Sequence, residues 1–387
     1  MAARISAGRV LAIAGIGLGG AAVAVAVGAA AVVVIFARTV IIPPRKREQD
    51  VRILASDEAT VTVSPTLDSL TPGRYSLWFD NESGHARVGE ILSFDAASVK
   101  RVLLGVDFGD LGAAKRGRFS GWFYLRPREL GYPFEDVEIE TELGPAPAWL
   151  IPAERETGDW VIQVHGRGVR RAEALRAVPV FREAGYTSLL VSYRNDRDAP
   201  ESPDHRYALG DTEWRDVDEA LSYALAHGAK NVVLMGWSMG GATVLQLATR
   251  SANAGVIRGI VLDSPVVDWI TALEFQGEAN RLPAQLRRAV LATLSSDWGR
   301  VVTGQSQAID LARLDFVHRA SELAWPILLI HSDDDGFVPA TASRALAIAR
   351  PDIVTYEAFT TARHTKEWNY DSERWNAAIV GWLAKLG

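Results

Sequence analysis

Three side chains that together can transfer an acyl group follow one another along this chain: Ser238, an aspartate in the run Asp333-Asp334-Asp335, and His364. A serine hydroxyl is a weak nucleophile until a neighbouring base removes its proton. A histidine does that best when a carboxylate fixes its tautomer and stabilises the imidazolium. Ser238 sits in Val232-Val233-Leu234-Met235-Gly236-Trp237-Ser238-Met239-Gly240-Gly241, an apolar run, a Gly-x-Ser-x-Gly and then an Ala/Leu-rich segment. That pattern predicts a strand, a sharp turn and a helix, with the serine held at a strained backbone position above the sheet edge. Gly236, Gly240 and Gly241 leave room for the turn. A short motif of this kind also arises by chance, and a glycine-rich strand-to-helix turn can bind phosphate instead. No lysine follows where a phosphate loop needs one, and no strand-linked Gly-x-Gly-x-x-Gly is present.

The acid and the base stand where such chemistry requires them. His331-Ser332-Asp333-Asp334-Asp335-Gly336-Phe337-Val338-Pro339 follows the apolar run Ile327-Leu328-Leu329-Ile330, at the carboxyl end of a predicted strand. Ligands of open α/β sheets bind at that edge. Asp335 is the chosen acid for its place just ahead of Val338-Pro339; Asp333 and Asp334 suit turn formation or helix capping and stand as fallbacks. His364 lies in the loop after the next strand, ahead of an amphipathic terminal helix containing Trp375, Ile379 and Leu383. Backbone N–H groups for a developing oxyanion are expected from Met239 and from Arg167, or else Gly168, in the turn His165-Gly166-Arg167-Gly168. His165 itself reads as a hydrogen-bonding residue of that turn. No spacing among His165, His331 and His364 resembles a zinc motif, so neither a metal nor a cofactor is implied.

The chain around these residues follows two grammars. From Val51 to Tyr132 the chain shows short strand-like pieces: Thr60–Val63, Tyr75–Phe79, Arg101–Val106 and Trp122–Leu125, with turn residues such as Pro72-Gly73 between them. From residue 133 strands alternate with helical patterns, the signature of a mostly parallel sheet covered on both faces. Asp136–Glu140 and Ala148–Ile151 suit an opening antiparallel pair, and Trp160–Val164, Ser188–Val191, Asn231–Met235, Ile260–Leu262, Ile327–Ile330 and Val354–Tyr356 supply the remainder. A long insertion at 268–320, rich in Trp269, Leu273, Phe275, Leu286 and Trp298, is expected to form a lid or to bury against the sheet.

Composition bounds the rest. With 387 residues, 48% of them hydrophobic, the chain suits two domains and at least one large core. It has no cysteine, which excludes disulfides, thiolate catalysis and cysteine-bound zinc. Residues 1–9 form a short basic N-terminus, and from Val10 to Phe36 there is no charged side chain. A helix of that length crosses a hydrocarbon core of about 30 Å, so residues 10–37 are expected to be a single-pass membrane anchor, followed by a linker at 38–50. A cleaved signal peptide is the competing reading; its apolar region would be shorter. Basic residues flank both ends and lean only slightly toward a cytoplasmic catalytic part. Residues 1–50 carry six basic and two acidic side chains, the remainder 35 basic and 45 acidic, a balance that argues against a nucleic-acid partner.

On His165-Gly-Arg-Gly, Gly236-Trp-Ser-Met-Gly-Gly, Asp335-Gly-Phe-Val-Pro and His364, the segment from about 135 onward resembles the α/β-hydrolases, in their serine aminopeptidase/carboxylesterase-like branch. The layout as a whole resembles bacterial membrane-anchored hydrolases. The resemblance implies an eight-strand sheet and a Ser-Asp-His triad working without a cofactor. Ser332 stands where many members have glycine. The chain order Ser238, Asp335, His364 is that of this fold and differs from chymotrypsin- and subtilisin-type enzymes.

The expected activity is cleavage of a carboxylic ester, or of a thioester or amide, on a small-molecule or lipid-like acyl substrate. Trp237 and Arg194 are candidate substrate contacts, Arg194 through a carboxylate unless an ion pair with Asp196 or Asp211 claims it. Asp263, ahead of Ser264-Pro265, is an alternative acid. An acyltransferase would use the same triad, and a hydrolase-like binding protein would break it.

Overall fold

Alternation over Thr60–Val63 turns Val61 and Val63 inward, and the same period of two closes six antiparallel strands into a barrel. The computed structural model describes residues 26–386. The strands are β1 (Val51–Ser56), β2 (Thr60–Val63), β3 (Tyr75–Phe79), β4 (Gly84–Phe94), β5 (Val99–Phe108) and β6 (Arg116–Ser120). Their order is β1-β2-β5-β4-β3-β6, and pairing of β1 with β6 leaves no open edge. Val51, Val63, Leu77, Phe79, Val88 and Phe119 fill the interior. Trp122–Leu125, expected to be a strand, is irregular. Its aromatic rings serve as packing surfaces, Trp122 on Trp78 and both Phe123 and Tyr124 on Trp368, and its backbone joins no ladder.

The second unit is an eight-stranded sheet: β7 (Glu135–Thr141), β8 (Gly144–Ile151), β9 (Asp159–Val164), β10 (Thr187–Val191), β11 (Asn231–Trp237), β12 (Ile257–Asp263), β13 (Ile327–Ser332) and β14 (Val354–Phe359). The order is β14-β13-β12-β11-β9-β10-β8-β7, with β9 to β14 mutually parallel and β8 antiparallel to both β7 and β10. The inner parallel strands are buried on both faces, which is why they read as near-continuous Val/Ile/Leu runs. In β11, Val232 and Leu234 enter one core while Val233, Met235 and Trp237 enter the other.

Helices cover both faces: α2 (Val178–Glu183), α3 (Trp214–Ala226), α4 (Met239–Arg250), α8 (Ala340–Ala349), α9 (Glu367–Tyr370) and α10 (Ser372–Leu383). The insertion folds as α5 (Trp269–Ala279), α6 (Ala284–Ser295) and α7 (Asp297–Thr303). Asp268 caps α5, accepting the amides of Ile270 and Thr271. Val290 and Leu294 of α6 bury against the core, whereas Trp298 of α7 stays exposed.

Residues 26–41 form helix α1. Of the expected membrane anchor at 10–37, residues 10–25 lie outside the described residues. Among the described residues no helix is long and apolar enough to cross a membrane. The end of the expected anchor is instead docked on protein: Val33, Ala37 and Ile41, spaced by four, are buried in the same core as Ile162 and Leu234. The Arg167 guanidinium reaches the carbonyls of Thr39, Val40 and Ile42 at 2.6, 2.8 and 2.9 Å, capping the C-terminal turn of α1.

Candidate active site

Strand β11 ends at Trp237 and α4 starts at Met239, so Ser238 alone must make the turn. Its backbone takes φ 50° and ψ −116°, a strained conformation for a residue with a side chain. Close packing below the turn enforces it. A Cβ on Gly240 would lie 2.2 Å from the Val164 carbonyl oxygen, and one on Gly236 2.4 Å from that of Gly240. Only glycine fits at either position.

The loops after β13 and β14 bring the other two residues to Ser238. His364 Nε2 lies 3.0 Å from Ser238 Oγ, and His364 Nδ1 lies 2.6 Å from Asp335 Oδ2. With Nδ1–H donating to the carboxylate, Nε2 is left to accept the serine proton. Asp335 is buried and fully engaged. Its Oδ1 accepts the amides of Phe337 and Val338 at 2.8 and 2.9 Å, and its Oδ2 also faces His331 Nε2 at 3.1 Å. Burial alone would raise this carboxyl, but the imidazoles of His364 and His331 outweigh it and hold the group well below the usual carboxylate range. The fallback acids are used elsewhere. Asp333 pairs with Arg344, and Asp334 accepts the Ser332 hydroxyl and the Arg363 amide.

Two amides flank the serine. Met239 opens α4, where an N–H has no intrahelical partner. The turn after β9 passes directly over the nucleophile, since a Cβ on Gly166 would lie 3.3 Å from Ser238 Cβ. The Gly166 amide is taken by Glu173 Oε2 at 2.9 Å, while the Arg167 amide makes no hydrogen bond among the described residues. His165 stacks on Tyr193 and contacts Asp196 Oδ2 at 3.1 Å, which fixes the turn.

Above Ser238 lies a cavity of about 410 Å³, walled by α1, α5, Phe337 and Val338. Phe337 also packs on the His364 ring, 5.2 Å between centroids. The barrel reaches the site through the histidine loop. Asp68 binds Lys366 at 2.7 Å, the Arg74 and Asn369 backbones and the Asn369 amide are cross-bonded, and the Arg74 guanidinium lies over Trp368.

A family-level comparison fits this geometry. The alpha/beta hydrolase family matches residues 161–374, more than half of the chain. The chain belongs to the alpha/beta hydrolase family. A domain of unknown function matches residues 52–120, the span of the barrel. Among solved structures, the hydrolase unit is similar to an esterase of Pyrococcus furiosus, Pf2001. In one crystal form the identity is 18% and the TM-score 0.53, over 68% of this chain and 95% of that one. In a second form the figures are 19% and 0.51, over 68% and 96%. No curated protein matches the chain.

Two residues expected to touch substrate in this hydrolase do other work. Trp237 precedes the nucleophile, but the strand's two-residue period turns its ring away from the cavity; it is wholly buried beneath the Arg176 guanidinium. Arg194 is paired with Asp216 through two hydrogen bonds, Nε at 2.9 Å and Nη2 at 2.6 Å, and with Glu142 at 2.8 Å. Its partner is therefore neither of the aspartates named from the sequence. Asp263 does not reach His364; its Oδ2 accepts the Trp375 indole N–H at 2.7 Å.

Behind the elbow lies a network that sequence reasoning missed. The Ser238 amide donates to the Asp263 carbonyl at 3.0 Å. Ser264 Oγ accepts the Thr365 amide, next to His364, and donates to Glu367 Oε1 at 2.7 Å. Neither Asp263 Oδ1 nor Glu367 Oε2 has a hydrogen-bond partner among the described residues. Burial raises both carboxyls, Glu367 well above its ordinary value with Asp263 adding to the push. Arg176 Nη1 holds the Thr365 carbonyl at 2.8 Å and Asn369 Oδ1 at 2.7 Å. Nothing in the spacing of Asp263, Glu367 and Arg176 marks them as neighbours.

Proposed function

We propose that this protein is a serine hydrolase that cleaves carboxylic esters through an acyl-enzyme on Ser238. The observation that carries the reading is the unbroken relay Asp335–His364–Ser238, at 2.6 and 3.0 Å, on a strained turn at the sheet's carboxyl edge. In the first half-reaction His364 Nε2 takes the hydroxyl proton as Ser238 Oγ attacks the ester carbonyl carbon. The negative charge that develops on the carbonyl oxygen faces the Met239 and Arg167 amides. One such donor is worth about 3 kcal/mol in a site closed to water. As the C–O bond breaks, the His364 imidazolium gives its proton to the departing alcohol oxygen. Water then adds to the acyl-enzyme by the same steps, with His364 as base and Ser238 Oγ as leaving group. An ester is favoured over an amide because its leaving group is better and because the Pyrococcus protein sharing the fold is an esterase.

A fluorophosphonate probe tests this reading. The wild type is expected to label, and both Ser238→Ala and His364→Ala are expected to lose labelling. Labelling that persists in Ser238→Ala would overturn the assignment.

The same proposal places the enzyme at a membrane. Val10 to Ala31 precede the first cavity-lining residue of α1, Val32, and a helix of that length would reach about 33 Å, against a hydrocarbon core of about 30 Å. The protein is therefore expected to stay with the membrane fraction through alkaline carbonate washing. Release into the supernatant would contradict the anchor.

A further inference from the structure

Helix α1 stands outside the segment matched by the hydrolase family, yet it supplies a wall of the cavity above Ser238. Val32, Ile35, Phe36 and Val40 of α1 face Trp269 and Leu273 of α5 across that space. Several polar donors of the lining are spent within the protein. The Arg167 guanidinium caps the α1 carbonyls, Thr39 Oγ1 donates to Ile35 O, Gln276 Nε2 to Phe337 O, and Asn280 Nδ2 to Gln276 O. Apart from Ser238 and the Arg167 guanidinium, then, the α1 and α5 walls offer a ligand mainly hydrocarbon surface. A charged or strongly hydrogen-bonding group placed against those walls would lose its water without compensation. A chain of methylene groups loses nothing, and burying each is favourable. Val32 and Ile35 of this wall, with Val27 a turn or more before them, also leave an apolar strip exposed along α1.

From this geometry we propose that α1 is a substrate-binding element: it forms the acyl-chain wall of the active site, and its residues set the chain length of the ester that the enzyme prefers. The proposal rests on the ester-hydrolase reading above and adds the substrate class, amphiphilic esters of long unbranched acids. Docking of α1 thereby couples the N-terminal apolar stretch to specificity. The Arg167 cap ties this wall to the turn that carries one of the two oxyanion amides.

The test is a pair of substitutions of opposite volume in the full-length, detergent-solubilised protein, assayed on p-nitrophenyl acetate and decanoate. Active sites are counted by the fluorophosphonate probe. For Val40→Trp the ratio of kcat/KM on decanoate to that on acetate is expected to fall at least tenfold. Phe36→Ala is expected to shift the preference toward longer acids, seen as a raised ratio of laurate to decanoate. Should Val40→Trp lose the probe signal through misfolding, Val40→Phe makes the same measurement with a smaller change. Ratios within twofold of wild type in variants that label normally would overturn the proposal while leaving the ester-hydrolase reading intact. A wild type that labels but cleaves no ester of any length would overturn both.

Discussion

Replacing Asp335 with asparagine is expected to lower kcat by about 10⁴-fold while leaving the protein folded. The size of the effect follows from which way the new amide must point. The Phe337 and Val338 amides both donate to Oδ1, so an asparagine keeps its oxygen there. Its NH₂ is then forced into the place of Oδ2, facing His364 Nδ1 and His331 Nε2. His364 Nδ1 must accept rather than donate, its proton moves to Nε2, and Nε2 no longer takes the Ser238 proton. Ester hydrolysis per folded molecule, with circular dichroism to confirm the fold, measures this. A kcat within tenfold of wild type would refute the tautomer argument. The Asp335 carboxyl is depressed in the folded state, so its contribution to stability is present above the ordinary carboxylate range and is lost as pH falls through the lower, folded value. Its charge thus persists through mild acid.

The largest stability effect is expected at Glu367, behind the site. Glu367→Ala leaves the Ser264 hydroxyl without its acceptor in a water-free interior and opens a cavity, at a cost of about 2–4 kcal/mol. Glu367→Gln keeps the shape and offers Asp263 an N–H donor, so it is expected to cost far less. The sign of the pH dependence separates the two roles of the carboxyl. A folded pKa raised above the unfolded one means that stability is fully present below the ordinary carboxylate range and is lost as pH rises through the folded value. The wild-type Tm should therefore fall more steeply than that of Glu367→Gln as pH rises from acid through neutral. Parallel Tm profiles would refute a raised Glu367 carboxyl. Because Ser264 Oγ also holds the Thr365 amide, Glu367→Ala is expected to lower kcat through the placement of His364.

These two sites differ in how far the sequence announces them. Asp335 lies in a strand-end loop whose position is legible from Ile327–Ile330, and its place just ahead of Val338-Pro339 favours it over two adjacent aspartates. What selects it physically is packing: Arg344 and Arg363 engage Asp333 and Asp334, leaving one carboxylate between two imidazoles. Glu367 is one acidic residue in a terminal amphipathic stretch, and its partner Asp263 lies on the neighbouring face of a buried sheet. No local pattern connects them.

Local chemistry determined the elbow, the alternation of strands and helices, and the order Ser238, Asp335, His364. Each of these is set by steric and hydrophobic rules acting over a few residues: glycines where a Cβ collides, a period of two, a period of 3.6. Only the tertiary structure decided what the long and apolar side chains touch. Arg194 found Asp216 rather than substrate, Trp237 found the core beneath Arg176, and the rings of Trp122–Leu125 drew their backbone out of the barrel ladder. The end of the uncharged N-terminal stretch is the clearest instance. Apolar burial has no direction, so Val33, Ala37 and Ile41 gain as much from a hydrolase core as from lipid. A guanidinium in the right place, Arg167 against the last carbonyls of α1, holds the helix against the hydrolase.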